Sequence, residues 1–133
     1  MRHFNNMKII SLLFACFLVI TVLLANQGAL PAWLEFLKSF YGGDKVGHFI
    51  LMGSMAFLLN ITLRQRRVNF AGMSVLLGSL IVMLVVTVEE FSQLWLPLRT
   101  FDWGDLLADY LGIAVLGNGI SLLQLARRQF PRH

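Results

Sequence analysis

Four apolar runs divide the chain, at residues 9–25, 46–63, 70–96 and 106–125. Each is close to the roughly 20 residues that a helix, rising ~1.5 Å per residue, needs to cross a bilayer core. None alternates apolar with polar positions as the strands of a membrane barrel do. The pattern therefore predicts an all-α integral membrane protein, a bundle of four transmembrane helices in a single domain spanning 1–133. The third run is the longest, and its ends are the least sharply marked.

Between the first two runs, Trp33, Phe36, Leu37 and Phe40 recur at i, i+3, i+4 and i+7, with Glu35 and Lys38 off that face. This spacing predicts a short helix lying in the outer headgroup region, anchored by Trp33 and Tyr41. Tethering the loop is its simplest role, and a lid over an outer-leaflet ligand is the alternative. The first run follows "MRHFNNMK", a basic lead like that of a secretory signal. Its length and the poor cleavage site in "VLLANQGA" favour an uncleaved membrane helix. The lone Cys16 permits no internal disulfide and no CxxC site, and is expected to be a small buried apolar residue.

Composition agrees with the pattern: 57% of residues are hydrophobic and 14% charged, against about half and about a quarter in a soluble domain. The net charge of +4 would suit a nucleic-acid partner, but its distribution argues for a membrane instead. Following four spans from a cytoplasmic N-terminus, one side receives Arg2, Lys8, Arg64, Arg66, Arg67, Arg127, Arg128 and Arg132, and the other only Lys38, Lys45 and Arg99. That bias predicts the cytoplasmic membrane with both termini inside. The basic residues then mark topology and contact anionic lipid headgroups. "RQRR" at 64–67 is too short for a nucleic-acid patch.

All seven acids fall on the opposite side: Glu35, Asp44, Glu89, Glu90, Asp102, Asp105 and Asp109. Orientation does not require this, because acids contribute little to topology. Asp44 and His48 are four apart on one helix face. Capping explains Asp44 but not a titratable ring inside an apolar run. Pro97 stops the third span near Leu96, which places Glu90 and Gln93 on one side of its last two turns and Glu89 about 100° away. Acids near a helix C-terminus oppose the helix dipole, so at least one must face a polar interior or a cation. Asp102 suits the N-cap of the fourth span, with Asp105 completing a capping box. Asp109 lies deeper, where no cap accounts for it. Turned towards one another, His48, Glu90, Gln93, Arg99, Asp105 and Asp109 form a polar pocket beneath the outer surface. Its simplest pairings are Arg99 with one or two carboxylates and His48 with another.

At these residues the sequence resembles the VanZ-like family of small membrane proteins. The likeness rests on "DKVGH" at 44–48, E-x-x-Q at Glu90 to Gln93, and "PLRTFDWGDLLADYLG" from Pro97 to Gly112. It implies that Asp44, Lys45, His48, Glu90, Gln93, Arg99, Asp105 and Asp109 are the positions that matter. It also implies a cell-envelope setting, the family's founding role being low-level teicoplanin resistance. The family pattern N-x-x-G-x-x-x-G is altered here: Asp109 replaces the asparagine, and the second glycine is shifted from position 116 to Gly117.

The residues support binding more than catalysis. There is no nucleophilic serine or cysteine motif, no HExxH, no P-loop and no glycine-rich nucleotide fingerprint, so no metal or other cofactor is expected. The expected activity is recognition of an envelope lipid, a peptidoglycan precursor or a glycopeptide-type antibiotic. The alternative is a membrane-embedded enzyme acting on a lipid-linked substrate. There His48 with an acid would be general base, Arg99 and Lys45 would hold phosphate, or a histidine with carboxylates would bind a divalent metal. Membrane lipids, a second copy of the chain and another membrane protein are admissible partners, and nucleic acid is not.

Overall fold

The computed structural model describes residues 2–29, 31–39 and 43–129, without the side chains of Phe4, Leu34, Leu37, Lys38 and Asp44. The elements in order are α1 (Arg2–Asn26), α2 (Ala32–Ser39), α3 (Gly43–Thr62), a hairpin of β1 (Arg67–Phe70) and β2 (Met73–Leu76), α4 (Leu77–Ser92), α5 (Trp103–Gly112) and α6 (Gly119–Gln129). A 3₁₀ turn, Gln93–Trp95, prolongs α4, and a π-helical turn, Ile113–Gly117, prolongs α5. Three segments are long and apolar enough to cross a membrane: Asn5–Asn26, Lys45–Thr62 and Leu77–Trp95. A fourth exists if Trp103–Val115 and Gly119–Gln129, bent by 45° at their junction, count as one span. The chain is thus a mostly helical membrane protein.

The third apolar run does not become helix where its hydrophobicity begins. Expected from Phe70, the helix starts at Leu77, because Arg67 to Leu76 form an antiparallel hairpin that pairs Phe70 with Met73 across Ala71 and Gly72. Both turn residues have positive φ, +50° and +80°, the conformation of a two-residue turn that matches strand twist. Gly72 adopts it freely and disfavours helix, while β-branched Val68 and Val75 suit the strands. At the other end the sequence reading holds: the helical stretch stops at Trp95, and Leu96 before Pro97 is extended, with φ −104° and ψ 126°. The short helix of the first loop is present as α2, although Phe40 and Tyr41 lie outside the described residues.

Helix α3 is the centre of the molecule and packs against α1, α4, α5 and the π turn. Ala56 of α3, Val82 and Val86 of α4, Leu106 of α5 and Ile113 form the buried apolar core. Large side chains such as Leu12, Leu84, Val88 and Leu107 face outward, as suits a lipid solvent. Cys16, expected to be buried, is exposed on α1. That helix packs on α3 along one side only, where Ser11 bonds Thr62 at 2.7 Å and the Leu58 carbonyl at 3.3 Å.

Glycine sets the α3–α5 approach. A Cβ on Gly53 would stand 2.6 Å from the Gly112 carbonyl oxygen, so the two backbones touch as small residues allow in membranes. The shifted second glycine follows from the π turn. That turn accommodates one extra residue, so Gly117 rather than Leu116 faces Ala56 and Ser79, each 3.0 Å from where its Cβ would be. Below this contact, fully buried Asn60 ties three elements together. Its amide donates to Ser79 Oγ at 2.8 Å and to the Gly117 carbonyl at 2.9 Å, and its Oδ1 accepts from the Ser79 N–H at 3.1 Å.

A candidate ligand site between three helix ends

A second group of polar side chains, from α3, α4 and α5, gathers at the opposite end of the bundle. Helix α3 begins at Gly43, which puts Asp44 inside its first turn rather than ahead of it as a cap; the Asp44 side chain lies outside the described residues. From the first and second turns of α3, Lys45 and His48 reach across to α5 and its N-cap. Lys45 Nζ donates to Asp102 at 2.9 Å and to Asp105 at 3.3 Å. His48 Nδ1 lies 2.9 Å from Asp109 Oδ1, and its Nε2 lies 3.9 Å from Asp105.

Asp102 caps α5 as expected, with Oδ1 accepting from the Gly104 N–H at 2.7 Å. The reciprocal half of the capping box is absent. Asp105 is drawn to Lys45 instead, and the Asp102 N–H points to Glu90 Oε1 at 3.5 Å. The loop between α4 and α5 is fixed by rings: Phe101 lies 5.3 Å from Phe91 and 4.8 Å from Trp103, centroid to centroid.

Glu90 is completely buried, Asp109 is 1% exposed and Gln93 2%. Glu90 nevertheless has the weakest internal partners of these groups. Its described hydrogen bonds are the long one from Asp102 N–H and a 3.4 Å bond from Gln93 Nε2. Gln93 is held more firmly by Glu89, at 3.0 and 3.2 Å from its two oxygens. Arg99 meets Glu89 at 3.8 Å and Asn26 of α1 at 3.4 Å.

Of the residues singled out from sequence, Lys45, His48, Glu90, Gln93, Asp105 and Asp109 therefore converge, and Arg99 joins through Glu89. Glu89 and Asp102 belong to the same network but were not among the candidates. The i, i+4 spacing of Glu89 and Gln93 was the available signal for the first. For Asp102, capping explained the residue so well that its side chain's second partner, Lys45, went unseen.

Among the described residues, five carboxylates (Glu89, Glu90, Asp102, Asp105 and Asp109) thus share two permanent cations, Lys45 and Arg99, and one histidine. Acids therefore outnumber permanent cations here, although no buried side-chain oxygen of the described residues is without a hydrogen-bond partner. One atom each from His48, Glu90 and Asp109 lie within 4.8 Å of one another, a grouping able to receive a cation. An apolar groove of about 330 Å³ between α1, α3 and α4, lined by Leu18, Val22, Met55, Ile81 and Val85 among others, runs up to Glu89.

Searches of curated proteins and of solved structures each returned no match. A family model described as VanZ/LLP1 matches residues 2–124. Since that match takes in nearly all of the 133 residues, both the converging polar side chains and the helices that carry them are parts of a member of the VanZ/LLP1 family.

Proposed function

We propose that the protein is a receptor for a hydrogen-donating or cationic headgroup, the hydroxyls of a saccharide or an amine, carried on an envelope lipid or a lipid-linked peptidoglycan precursor. A glycopeptide-type antibiotic offers related hydroxyls and is the alternative ligand. In this reading the bundle crosses the cytoplasmic membrane four times with both termini inside, α2 lies in the outer interface, and the carboxylates sit just below the outer face. The bias of basic residues supports that orientation.

The observation that carries the proposal is Glu90. A carboxylate removed from solvent is costly unless paired, and among the described residues this one has two long, neutral donors. An incoming hydroxyl or ammonium group would satisfy it, with Asp109 beside it as a second acceptor. Lys45, half-exposed at the rim, is placed to meet a phosphate. The groove ending at Glu89 favours a ligand that brings its own lipid chain.

The test is titration of the purified protein in nanodiscs with a polyprenyl-linked peptidoglycan precursor and, separately, with teicoplanin. Glu90→Gln keeps the shape and removes the charge. It is expected to weaken binding by about tenfold or more, the ~1.5 kcal/mol of one charge-assisted hydrogen bond. Unchanged affinity in that variant, or no binding by the parent protein, would reject the proposal.

A second reading, catalysis on the same lipid-linked ligand, is favoured by the His48–Asp109 contact. A carboxylate on Nδ1 orients the ring, and Nε2, 3.9 Å from Asp105, would act as the general base. The donor set of His48, Glu90 and Asp109 also suits a divalent transition metal, which would polarise a phosphoryl or carbonyl oxygen. Turnover that is lost in His48→Ala would establish this reading; stoichiometric binding without product would exclude it.

A further inference from the structure

At the other end of the molecule, a second cleft of about 360 Å³ opens between the hairpin and α6. Among the described residues its lining includes Gln65, Arg67, Ser121, Gln124, Leu125 and Arg128, and no acidic residue. Arg67 is held between the hairpin and α6, donating through Nη1 to the Ser74 carbonyl and through Nη2 to Ser121 Oγ, both at 3.3 Å. Those bonds use only part of the guanidinium's five N–H groups. Arg128 comes from the last turn of α6, and Gln65 from a pair of left-handed residues, Arg64 and Gln65, that turn the chain from α3 into β1. Two guanidiniums, two amides and a hydroxyl therefore surround one opening, beside an apolar wall that includes Leu76 and Leu125. Just beyond, the hairpin tip exposes Phe70 and Met73, apolar side chains flanking the turn.

We propose that this cleft binds the phosphate of an anionic phospholipid on the membrane face opposite the carboxylate cluster. The chemistry is that of an oxyanion. Planar guanidinium forks match phosphate oxygens, amide and hydroxyl donors complete the shell, and no carboxylate in the lining repels the ligand. A free phosphate would meet the same donors, but the apolar wall and the exposed hairpin tip favour one attached to a lipid. The site is separate from the proposed ligand site and does not depend on that function.

The experiment is native mass spectrometry of the full chain released from nanodiscs of phosphatidylcholine mixed with phosphatidylglycerol. The parent protein should retain phosphatidylglycerol selectively, and Arg67→Gln and Arg128→Gln should each lower that retention by about tenfold. Arg127→Gln, outside the cleft, should not. Arg128 makes no hydrogen bond within the described residues, so Arg128→Gln reads binding even if Arg67→Gln disturbs the hairpin. Equal retention of the two lipids, or loss in Arg127→Gln as large as in Arg128→Gln, would overturn the proposal. So would displacement of all bound lipid by millimolar inorganic phosphate, which would make free phosphate the ligand.

Discussion

The bundle buries two polar clusters, and they are built on opposite principles. Around Asn60, every capacity that matters is matched: two amide hydrogens find two acceptors, the amide oxygen finds a backbone N–H, and no charge is involved. Around Glu90, among the described residues, five acids meet two permanent cations and one histidine, and the hydrogen bonds to the most buried carboxyl group are the longest. A polar cluster that closes on itself can serve packing alone. One that keeps a deficit in a low-dielectric setting destabilises the fold unless something completes it, which is the physical reason to regard the second as a site.

The largest expected effect separates the two clusters by stability. Asn60→Leu keeps the volume but leaves the Ser79 N–H and the Gly117 carbonyl without partners inside the bundle. Each orphaned group is worth about 1–3 kcal/mol, so the melting temperature in detergent should fall by many degrees and abundance with it. If Asn60→Leu melted with the parent, the Asn60 cluster would not be the structural member of the pair.

Glu90→Gln should do the reverse. Removing a weakly paired buried charge leaves stability unchanged or slightly higher, while binding of the lipid-linked precursor falls by about tenfold or more. Thermal melts and titrations on the same preparation decide it. A variant that failed to accumulate in the membrane would move Glu90 into the packing category and dissolve the contrast.

Arg99→Ala tests the edge of the deficit. Its contacts with Glu89 and Asn26, at 3.8 and 3.4 Å, are long, so their loss should cost about 1 kcal/mol or less in a melt. Precursor affinity should fall less than in Glu90→Gln, since Arg99 reaches the buried carboxylates only through Glu89. A loss greater than that of Glu90→Gln would show that the rim, and not the floor, recognises the ligand.

Much of this was legible in the chain because membrane burial makes polar residues conspicuous. His48, Glu90 and Asp109 stood inside apolar runs, so their convergence followed from the expense of the alternative. The hairpin was not legible, since "VNFAGMSVL" continues the hydrophobicity of the next helix and its strand character depends on a turn with two positive φ values. The shifted glycine looked like a departure from the family pattern because spacing was counted on an α-helix; a π turn restores the contact with one more residue. The pairing of Asp102 with Lys45 needed the third dimension, because a good local explanation concealed the distant one.

That pair supports the smallest prediction. Asp102 lies outside the spanning helices, where the Lys45 ammonium and the Gly104 N–H hold its carboxyl below the ordinary range of about 3.9. With the folded value depressed, the stabilisation from ionised Asp102 is complete above about pH 3.9 and is lost as pH falls through the lower folded value. Asp102→Asn preserves the N-cap and removes only the charge. Its melting temperature should sit slightly below the parent's by a constant margin between about pH 5 and 8, and the two should converge in stronger acid. Half-exposed charges at the rim are screened by solvent, so the margin should also shrink in high salt. A gap that widened in acid would mean that Asp102 is held neutral, and would make the rim part of the same deficit as the floor.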